Sequence, residues 1–445
     1  MDLDAARRDA GPVGSPTASF PAVALPDVDV LGTGPEGGDS DAPSGSLPGS
    51  WDHLGRACAR LDAGGAVVVT SDDAEGPHWL VLAAASATPQ TIAFLARHSS
   101  GVLAVALRPD RIASLGLLPR AGGRHPAPRG ALVTTVRARG GIDRGDAAGL
   151  ARAVRLLGDA TTRPRDLSAP GPIRVLRADP LGVAGAHRGP EAAVDLVAMT
   201  GSPAAVLAEL VDEDGELSER QAAREFARTH QLPVASVRTI AEARLTGERL
   251  VRREATTELP TRHGTLRATG FVGELDGAEH VALSRGLDAD APARRPHAVV
   301  HLQRWCLGTV VGARSCGCAE HLDRALRRLA RAPAGVVVCV RADATPETGL
   351  GHGLGGLTAA AGGGTSAGGG HGLGRLDAAA AAQIVTSFGV TSATLVVADR
   401  RQVTALRREG VLVRAAMTDP VRHPAATGAE GRTPARPAPG RMLAG

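Results

Sequence analysis

The chain has 445 residues, a net charge of +4 at neutral pH, 43% hydrophobic residues and 22% charged residues. These proportions are typical of globular proteins with two or three domains. They exclude a fibre and a secreted disulfide-rich scaffold, and no apolar run approaches the roughly 20 residues of a membrane-spanning helix. We expect a cytoplasmic protein, since the first residues lack the charged and then apolar segments of a signal peptide.

Three residue types are missing from the sequence, which contains no Lys, Tyr or Asn. A catalytic Lys, a catalytic Tyr and a Lys-dependent phosphate loop are therefore excluded. The small positive excess is spread along the chain and is not interleaved with aromatic residues, so we expect no nucleic-acid partner. We also expect no membrane partner.

In chain order, a Gly-, Pro- and Ser-rich tail at 1–48 precedes a region in which apolar strand patterns alternate with amphipathic helix patterns. Thr88-Pro89 is typical of a helix start, with Thr as N-cap and Pro at the first position. The predicted elements in this first region are strands at 66–70, 80–84, 102–107, 173–177 and 205–211, and helices from Thr88-Pro89 and at 146–157, 190–199 and 219–230.

After residue 250 the pattern changes to short strands followed by further helices. The predicted strands are 264–272, 280–283, 299–302, 335–340 and 394–397, and the predicted helices are 318–331, 377–388 and 401–409. This alternation predicts an α/β (α+β) fold. We expect two α/β domains in tandem, at 49–249 and 250–419, with a flexible Gly-rich loop at 349–374 and disordered tails at 1–48 and 420–445.

Five cysteines are present, and three of them, Cys306, Cys316 and Cys318, form a C-x9-C-x-C cluster. An odd number of cysteines argues against a disulfide framework. Three thiolates suit Zn²⁺ and leave a fourth position for water, as in catalytic zinc sites. The alternative is that all of them are reduced thiols without a metal.

Several long segments resemble a known family. LPTRHGTLRATGF, GAEHVALSRG, the cysteine cluster and AQIV resemble GTP cyclohydrolase II, and LVLAAASATPQTIAFLARHSSGVLAVAL, ATTRPRDLSAPG, PEAAVDLVAMTG and AAVLAELVDEDGELSE resemble 3,4-dihydroxy-2-butanone 4-phosphate synthase. Their order is that of the bifunctional riboflavin-biosynthesis enzymes. The resemblance implies GTP and ribulose 5-phosphate as substrates, zinc and magnesium as cofactors, and a homodimer or a heteromer with a catalytic homologue.

In the synthase half, the family's DDEDRENEGDL loop is matched by residues 70–80. Glu75 falls on the Glu that holds magnesium in the family. Ala74 replaces the Arg of this loop, and Trp79 replaces its last acid. The resemblance therefore implies that the chain has kept one magnesium ligand and has lost groups that hold the sugar phosphate.

The family's GHTEA motif is matched by residues 188–192. Glu191 falls on the catalytic Glu, whereas Gly189 stands in place of the His that is the second metal ligand. His187 would substitute for that His only after a backbone shift. The alternative interpretation of Glu75 and Glu191 is that they are solvated acids of a cleft.

In the cyclohydrolase half, the family's RVHSEC is matched by residues 301–306, which read HLQRWC. The Cys is kept and Leu302 replaces the Val by another aliphatic residue, whereas the Arg, His and Glu are absent. Arg375 lies one position out of register with the family's catalytic Asp-x-Arg. The candidate nucleotide loop, 347–353, contains no Arg. The resemblance thus implies a zinc site at Cys306, Cys316 and Cys318 with few of the groups that bind the nucleotide around it.

Two main hypotheses follow. The chain is either an enzyme of the inherited kind or a homologue with weak or lost catalysis in both halves that acts as a scaffold, regulator or dimerisation partner. A third hypothesis is a repurposed zinc hydrolase that acts on another purine nucleotide or a pterin. The loss of polar site residues beside preserved strand and helix patterns favours weak or lost catalysis.

Overall fold

The structure is a computed structural model that describes residues 48–73, 76–117, 132–140, 146–212, 214–288, 297–305, 309, 318–341, 373–396 and 400–416. Residues 1–47 and 417–445 and most of the Gly-rich segment, at 349–372, lie outside the described residues, so the two tails and the flexible loop stay predictions. The chain divides into two compact units. The first runs to Arg252 and includes Gly273–Gly277, and the second comprises Arg253–Val272 and the residues from Ala278 onward.

The first unit is a mixed sheet with helices on both faces. Its strands are β1 (Val67–Thr70), β2 (Trp79–Ala83), β3 (Ala104–Leu107), β4 (Leu132–Ala138), β5 (Leu167–Arg177), β6 (Ala204–Glu209) and β7 (Val234–Ser236). Its helices are α1 (Pro48–Asp62), α2 (Pro89–Arg97), α3 (Pro109–Ser114), α4 (Ala147–Gly158), α5 (Gly189–Ala198), α6 (Arg220–Thr229) and α7 (Val237–Gly247). Among the described residues the strand order is β4-β5-β3-β6-β2-β1-β7.

Alternating apolar residues divide the core of this unit into two layers. Val68 and Leu80 point to the face covered by α2, α4 and α6. Val67, Val69 and Val81 point to the opposite face, which α1, α5 and α7 cover. Because successive side chains of a strand point to opposite faces, fully buried strands such as β1 contribute to both layers.

Local sequence signals explain where several of these helices begin. The Thr88 side chain accepts a hydrogen bond from the Thr91 backbone at the start of α2, as the Thr-Pro pair predicts. Asp146 caps α4 in the same way through the backbone N–H of Gly149. The start of α2 predicted from sequence is therefore confirmed.

The second unit contains strands β8 (Val251–Thr261), β9 (Gly264–Gly273), β10 (Glu279–Arg285), β11 (Ala298–Arg304), β12 (Gly335–Val340), β13 (Ser392–Leu395) and β14 (Leu412–Ala416). Its helices are α8 (Cys318–Arg331), α9 (Arg375–Ser387) and α10 (Arg400–Arg408). Within the described ranges the strand order is β14-β13-β11-β12-β10-β9-β8.

The order of parallel strands places a topological switch at β11. This strand pairs in parallel with β12 on one side and with β13 on the other. The chain passes through α8 to reach β12, and through α9 to reach β13. In open α/β sheets, ligands bind outside the carboxyl ends of the strands at such a switch.

The predicted fold class is confirmed, because both units are α/β. The helix 318–331 and the strand 335–340 have the predicted bounds. Helix α9 begins at Arg375, two residues before the predicted start. None of the helices in the described ranges combines the length and the apolar character needed to cross a membrane.

Candidate functional site

The first candidate site lies where α5 begins, beside the loop that follows β1. Glu191 occupies the first turn of α5 and is fully buried. Its Oε1 accepts hydrogen bonds from the backbone N–H of Asp179, at 3.1 Å, and from the Arg188 guanidinium, at 2.9 Å. Burial raises the pKa of Glu191, and the nearby Arg188 opposes that rise. The interpretation of Glu191 as a solvated acid is therefore wrong.

The second oxygen of Glu191 is the reactive feature of this position. Oε2 is buried and has no hydrogen-bond partner among the described residues. A buried carboxylate with an unpaired oxygen and a raised pKa has the properties of a general acid or base. This geometry is compatible with the catalytic role that the resemblance implies for Glu191, and that role stays a prediction.

Residue 189, two positions before that acid, has no room for a side chain. A Cβ built on Gly189 would lie 2.4 Å from both Cε2 and Cζ2 of Trp79. Trp79 begins β2 and is only 7% exposed, so its indole is held in the core. Each of these two residues stands at a position where the resembled family has a polar group. The indole therefore fills the space that a side chain at 189 would occupy.

This packing decides whether magnesium fits at that position. Mg²⁺ requires near-octahedral oxygen ligation and usually keeps several waters. Gly189 offers no ligand, and the adjoining space holds an apolar ring in place of water. Position 189 therefore does not fit a magnesium ligand. Glu75, the other predicted ligand, lies outside the described residues.

His187, the only alternative ligand that the sequence offered, faces the loop after β1. Its Nδ1 lies 3.8 Å from Oδ2 of Asp72, and neither ring nitrogen has a hydrogen-bond partner among the described residues. The Oδ1 of Asp72 accepts a hydrogen bond from the backbone N–H of Arg238 at 3.1 Å. Burial alone would raise the pKa of Asp72, but its interactions with His187 and Arg238 outweigh burial and lower it. His187 is thus directed at a carboxylate of the loop.

Sequence reasoning missed a buried ion-pair network that fixes α5. Asp195 accepts hydrogen bonds from Arg108 at 2.7 Å, from Arg244 at 2.8 Å and from the backbone N–H of Val183 at 2.7 Å. Gly182 has a φ of +61°, and a Cβ there would lie 2.2 Å from both carboxylate oxygens of Asp195. An acid inside the apolar stretch EAAVDLVA was the available signal, since a charge there needs buried partners. Asp195 lies one turn after Glu191 on the same helix.

The second candidate site lies at the carboxyl end of β11. His301 is buried, and its Nε2 lies 2.8 Å from Oε1 of Gln303. The Gln303 amide donates to the backbone oxygen of Cys318 at 2.9 Å, which ties β11 to the first residue of α8. Burial lowers the pKa of His301 to about 4, with a smaller contribution from His321. His301 is therefore neutral at physiological pH.

Of the three predicted zinc ligands, Cys318 alone lies in the described residues. It is buried at the start of α8. Cys306 and Cys316 lie outside the described residues, so the geometry of the proposed site is not part of the structure. Trp305, the residue before Cys306, is 45% exposed and donates from its indole to the backbone oxygen of Cys339 at 3.3 Å. In the described ranges no three His, Cys, Asp or Glu side chains form a metal-binding group.

Arg375 is the first residue of α9 and is exposed. The backbone N–H of Gly374 donates to Asp377 at 3.2 Å and so caps the helix. Asp377 therefore has a capping role at the start of α9. The catalytic role of Arg375 stays a prediction.

His263, which belongs to the RHG motif, fastens the β8–β9 turn to α8. Its Nε2 lies 2.9 Å from Oδ1 of Asp323. Arg262 and Arg327 pair with the same carboxylate, at 2.5 Å for Arg262. These two pairs, together with His263, lower the pKa of Asp323. The motif thus has a structural function in this unit.

Comparison with known proteins places both units in one family. Residues 55–243 match the 3,4-dihydroxy-2-butanone 4-phosphate synthase family, and residues 252–418 match the GTP cyclohydrolase II family. The riboflavin biosynthesis protein RibBA of Mycobacteroides abscessus is 37% identical over 68% of this chain and 74% of its own length. The chain belongs to the bifunctional riboflavin biosynthesis family. The same protein from Mycobacterium tuberculosis is 38% identical over 68% of this chain and 73% of its own length.

Among solved structures, RibBX of A. baumannii, a two-domain 3,4-dihydroxy-2-butanone 4-phosphate synthase, has a TM-score of 0.64 to this chain. It is 23% identical and covers 82% of this chain and 99% of its own. This likeness shows that the two-domain fold of the riboflavin biosynthesis family recurs here.

Proposed function

We propose that this member of the riboflavin biosynthesis family has weak or lost catalysis in both halves and acts in the cytoplasm as a scaffold or regulator, in a homodimer or in a heteromer with a catalytic homologue. The observation that carries the proposal is the contact between Trp79 and Gly189. A site that fills the place of a metal ligand with an indole is built for packing and not for ligation.

The synthase half keeps its acid but has lost the groups around it. Conversion of ribulose 5-phosphate needs a held sugar phosphate and a metal that polarises it when bound, besides a proton acceptor. Glu191 supplies the proton acceptor. One of its oxygens is already engaged by Arg188 and by the Asp179 backbone. We expect Mg²⁺, if held at all, to depend on Glu75 with weak affinity.

Formate release from ribulose 5-phosphate in the presence of Mg²⁺ tests this half. The expected result is no turnover above background. The matched control is the Glu75→Ala variant, which should give the same trace as the parent chain. Strong Mg²⁺-dependent turnover that Glu75→Ala abolishes would refute the proposal and would assign the second ligand to His187.

In the cyclohydrolase half, the side chains that replace the family's polar groups are used within the fold. Gln303 satisfies the Cys318 carbonyl, and Trp305 satisfies the Cys339 carbonyl. GTP carries about four negative charges, and each lost charge-assisted contact costs about 1.5–3 kcal/mol. Three losses weaken binding by about 5–9 kcal/mol, where every 1.4 kcal/mol is about tenfold.

Calorimetry with GTP tests this half independently. The expected result is no saturable binding up to millimolar GTP. Binding in the micromolar range that is lost in Arg375→Ala would restore the enzyme hypothesis. Arg375 is exposed at the start of α9, and circular dichroism shows whether the variant is folded.

A zinc-dependent hydrolase acting on a purine nucleotide is the second candidate function. It is favoured by the position of Cys318, which is buried at a helix N-terminus beside the topological switch at β11. A helix N-terminus favours a thiolate, which is the form that ligates Zn²⁺. We expect about one zinc per chain in purified protein and its loss in Cys316→Ser and Cys318→Ser. Metal-free protein with freely reactive thiols at these positions would exclude this candidate.

A further inference from the structure

Four aromatic rings converge between the ends of α2 and α6 in the first unit. Phe94 and His98 come from α2 and its C-cap, and Phe226 and His230 come from α6 and its C-cap. All six pairs of ring centroids lie between 4.3 and 6.2 Å apart. The chain has five Phe in 445 residues, and two of them belong to this cluster.

The two histidines are the unusual members of this cluster. Their ring centroids are 4.9 Å apart with an interplanar angle of 55°. Neither imidazole makes a hydrogen bond within the described part of the chain, although both rings are half-buried. The nitrogens of His98 and His230 are not among the buried partnerless atoms of the described residues, so they reach solvent. They are therefore open to an ion that arrives from water.

We propose that His98 and His230 form a binding site for a divalent transition-metal ion that joins the C-terminal ends of α2 and α6. This inference is independent of the proposed function. The protein supplies two imidazole ligands, and water completes the coordination.

The distance between the rings fits shared ligation. A metal ion lies about 2.0–2.1 Å from an imidazole nitrogen and therefore about 3.2 Å from the ring centre. Two rings on one tetrahedral ion then have centres about 5 Å apart. The observed centroid distance of 4.9 Å agrees with that value.

The surroundings of His98 favour the neutral form of its imidazole, which is the form that ligates a metal. Burial lowers the pKa of His98, and the charges of His230 and Arg97 lower it further. A metal ion therefore has few protons to displace from the His98 ring at neutral pH. Both histidines are C-caps, where the negative ends of the two helix dipoles stabilise positive charge.

The proposed ion would also affect the loop of the first candidate site. At the other end of α6, Arg220 donates hydrogen bonds to the backbone oxygens of Ser71 and Asp72, at 3.2 and 2.8 Å. These two residues follow β1 and precede Glu75. Fixing α6 against α2 thus restrains the start of that loop.

Nickel provides the probe, because imidazole suits Ni²⁺ whereas thiolates prefer softer ions. Ni²⁺ is titrated into the full chain by calorimetry. His98→Phe and His230→Phe keep the ring packing and remove the nitrogens. His53→Gln, an exposed histidine in α1, is the matched control.

The parent chain and His53→Gln should bind one Ni²⁺ per chain with the same affinity. Each Phe variant should bind at least about tenfold more weakly, since loss of an outer-shell partner alone costs about 10–100-fold. Ni²⁺ should also raise the melting temperature of the parent chain and not that of the Phe variants. Equal binding and equal thermal shifts in all four proteins would refute the site. Circular dichroism shows whether each variant is folded, and His98→Gln provides a second test where a Phe variant is not.

Discussion

Substitution of Gly189 by Ala tests the contact on which the proposed function rests. The added Cβ would lie 2.4 Å from two ring carbons of Trp79, far inside van der Waals contact. Trp79 belongs to the buried core beside α5, so the indole has no free direction in which to move. Overpacking of this kind costs about 1–3 kcal/mol. For a unit of about 200 residues this corresponds to a fall in melting temperature of about 2–12 °C.

The assay is thermal unfolding followed by tryptophan fluorescence, with Gly149→Ala as the control. Gly149 also lies in the first turn of a helix, but a Cβ there would meet only a carboxylate oxygen of Asp146 at 3.3 Å. Gly149→Ala should therefore leave the melting temperature unchanged or raise it slightly. A melting temperature of Gly189→Ala equal to that of the control would show that Trp79 does not fill this space.

A double-mutant cycle sharpens the same test. Trp79→Ala removes the ring and should lower stability by about 3–5 kcal/mol as a cavity mutation. In that background Gly189→Ala should lose most of its cost, because the atoms it collides with are gone. A coupling energy of about 1–3 kcal/mol is expected for such contacting residues. Additive effects within about 0.5 kcal/mol would contradict the direct contact.

The remaining predictions concern two buried networks. Asp195→Ala removes the central partner of the Arg244 guanidinium, which is only 3% exposed. We expect the free energy of unfolding, measured in urea, to fall by about 3–5 kcal/mol. A fall of less than about 1 kcal/mol would contradict this network. His301 has a native pKa lowered to about 4, against an unfolded value near 6.5. The contribution of neutral His301 to the free energy of unfolding is therefore fully present above pH 6.5. It decreases by about 3 kcal/mol as the pH falls towards 4. In His301→Gln the urea midpoint should no longer fall between pH 6.5 and 4. An unchanged pH dependence of the midpoint would refute the lowered pKa of His301. Burial raises the native pKa of Glu191, so its contribution to stability is complete below its unfolded pKa and decreases as the pH rises above it. Glu191→Gln should therefore raise the melting temperature more at pH 7 than at pH 4.

Much of the fold could be predicted because long periodic patterns of apolar residues mark its helices and strands. Helix 318–331 and strand 335–340 have clear periodicity and flanking turn residues, and their bounds agree with the structure. Strand β7 has only three residues, which is too short for any alternation to be visible. Helix α1 was missed because it directly follows the Gly- and Pro-rich tail. Its apolar residues Leu54, Ala57 and Leu61 reveal a helical face only once the core is known.

The residues of the candidate sites could be predicted from the sequence, but the residues that pack against them could not. The sequence identified Glu191, Gly189 and Trp79 separately, since each aligns with a family motif. That Trp79 fills the space beside Gly189 depends on the packing of β2 against α5, which no local pattern encodes. The burial of Glu191 could not be predicted for the same reason. Asp195 was missed because its partners, Arg108 and Arg244, lie 87 and 49 residues away along the chain.

The Trp79–Gly189 pair also indicates what a chain gains when a metal-ligand position is given up. A buried Trp removes about 150–250 Å² of surface from water, which at about 25 cal/mol per Å² is worth about 4–6 kcal/mol. A metal site in the same place would hold clustered polar groups that destabilise the fold until the ion binds. The contact between Trp79 and Gly189 is therefore a gain in stability at the expense of ligation.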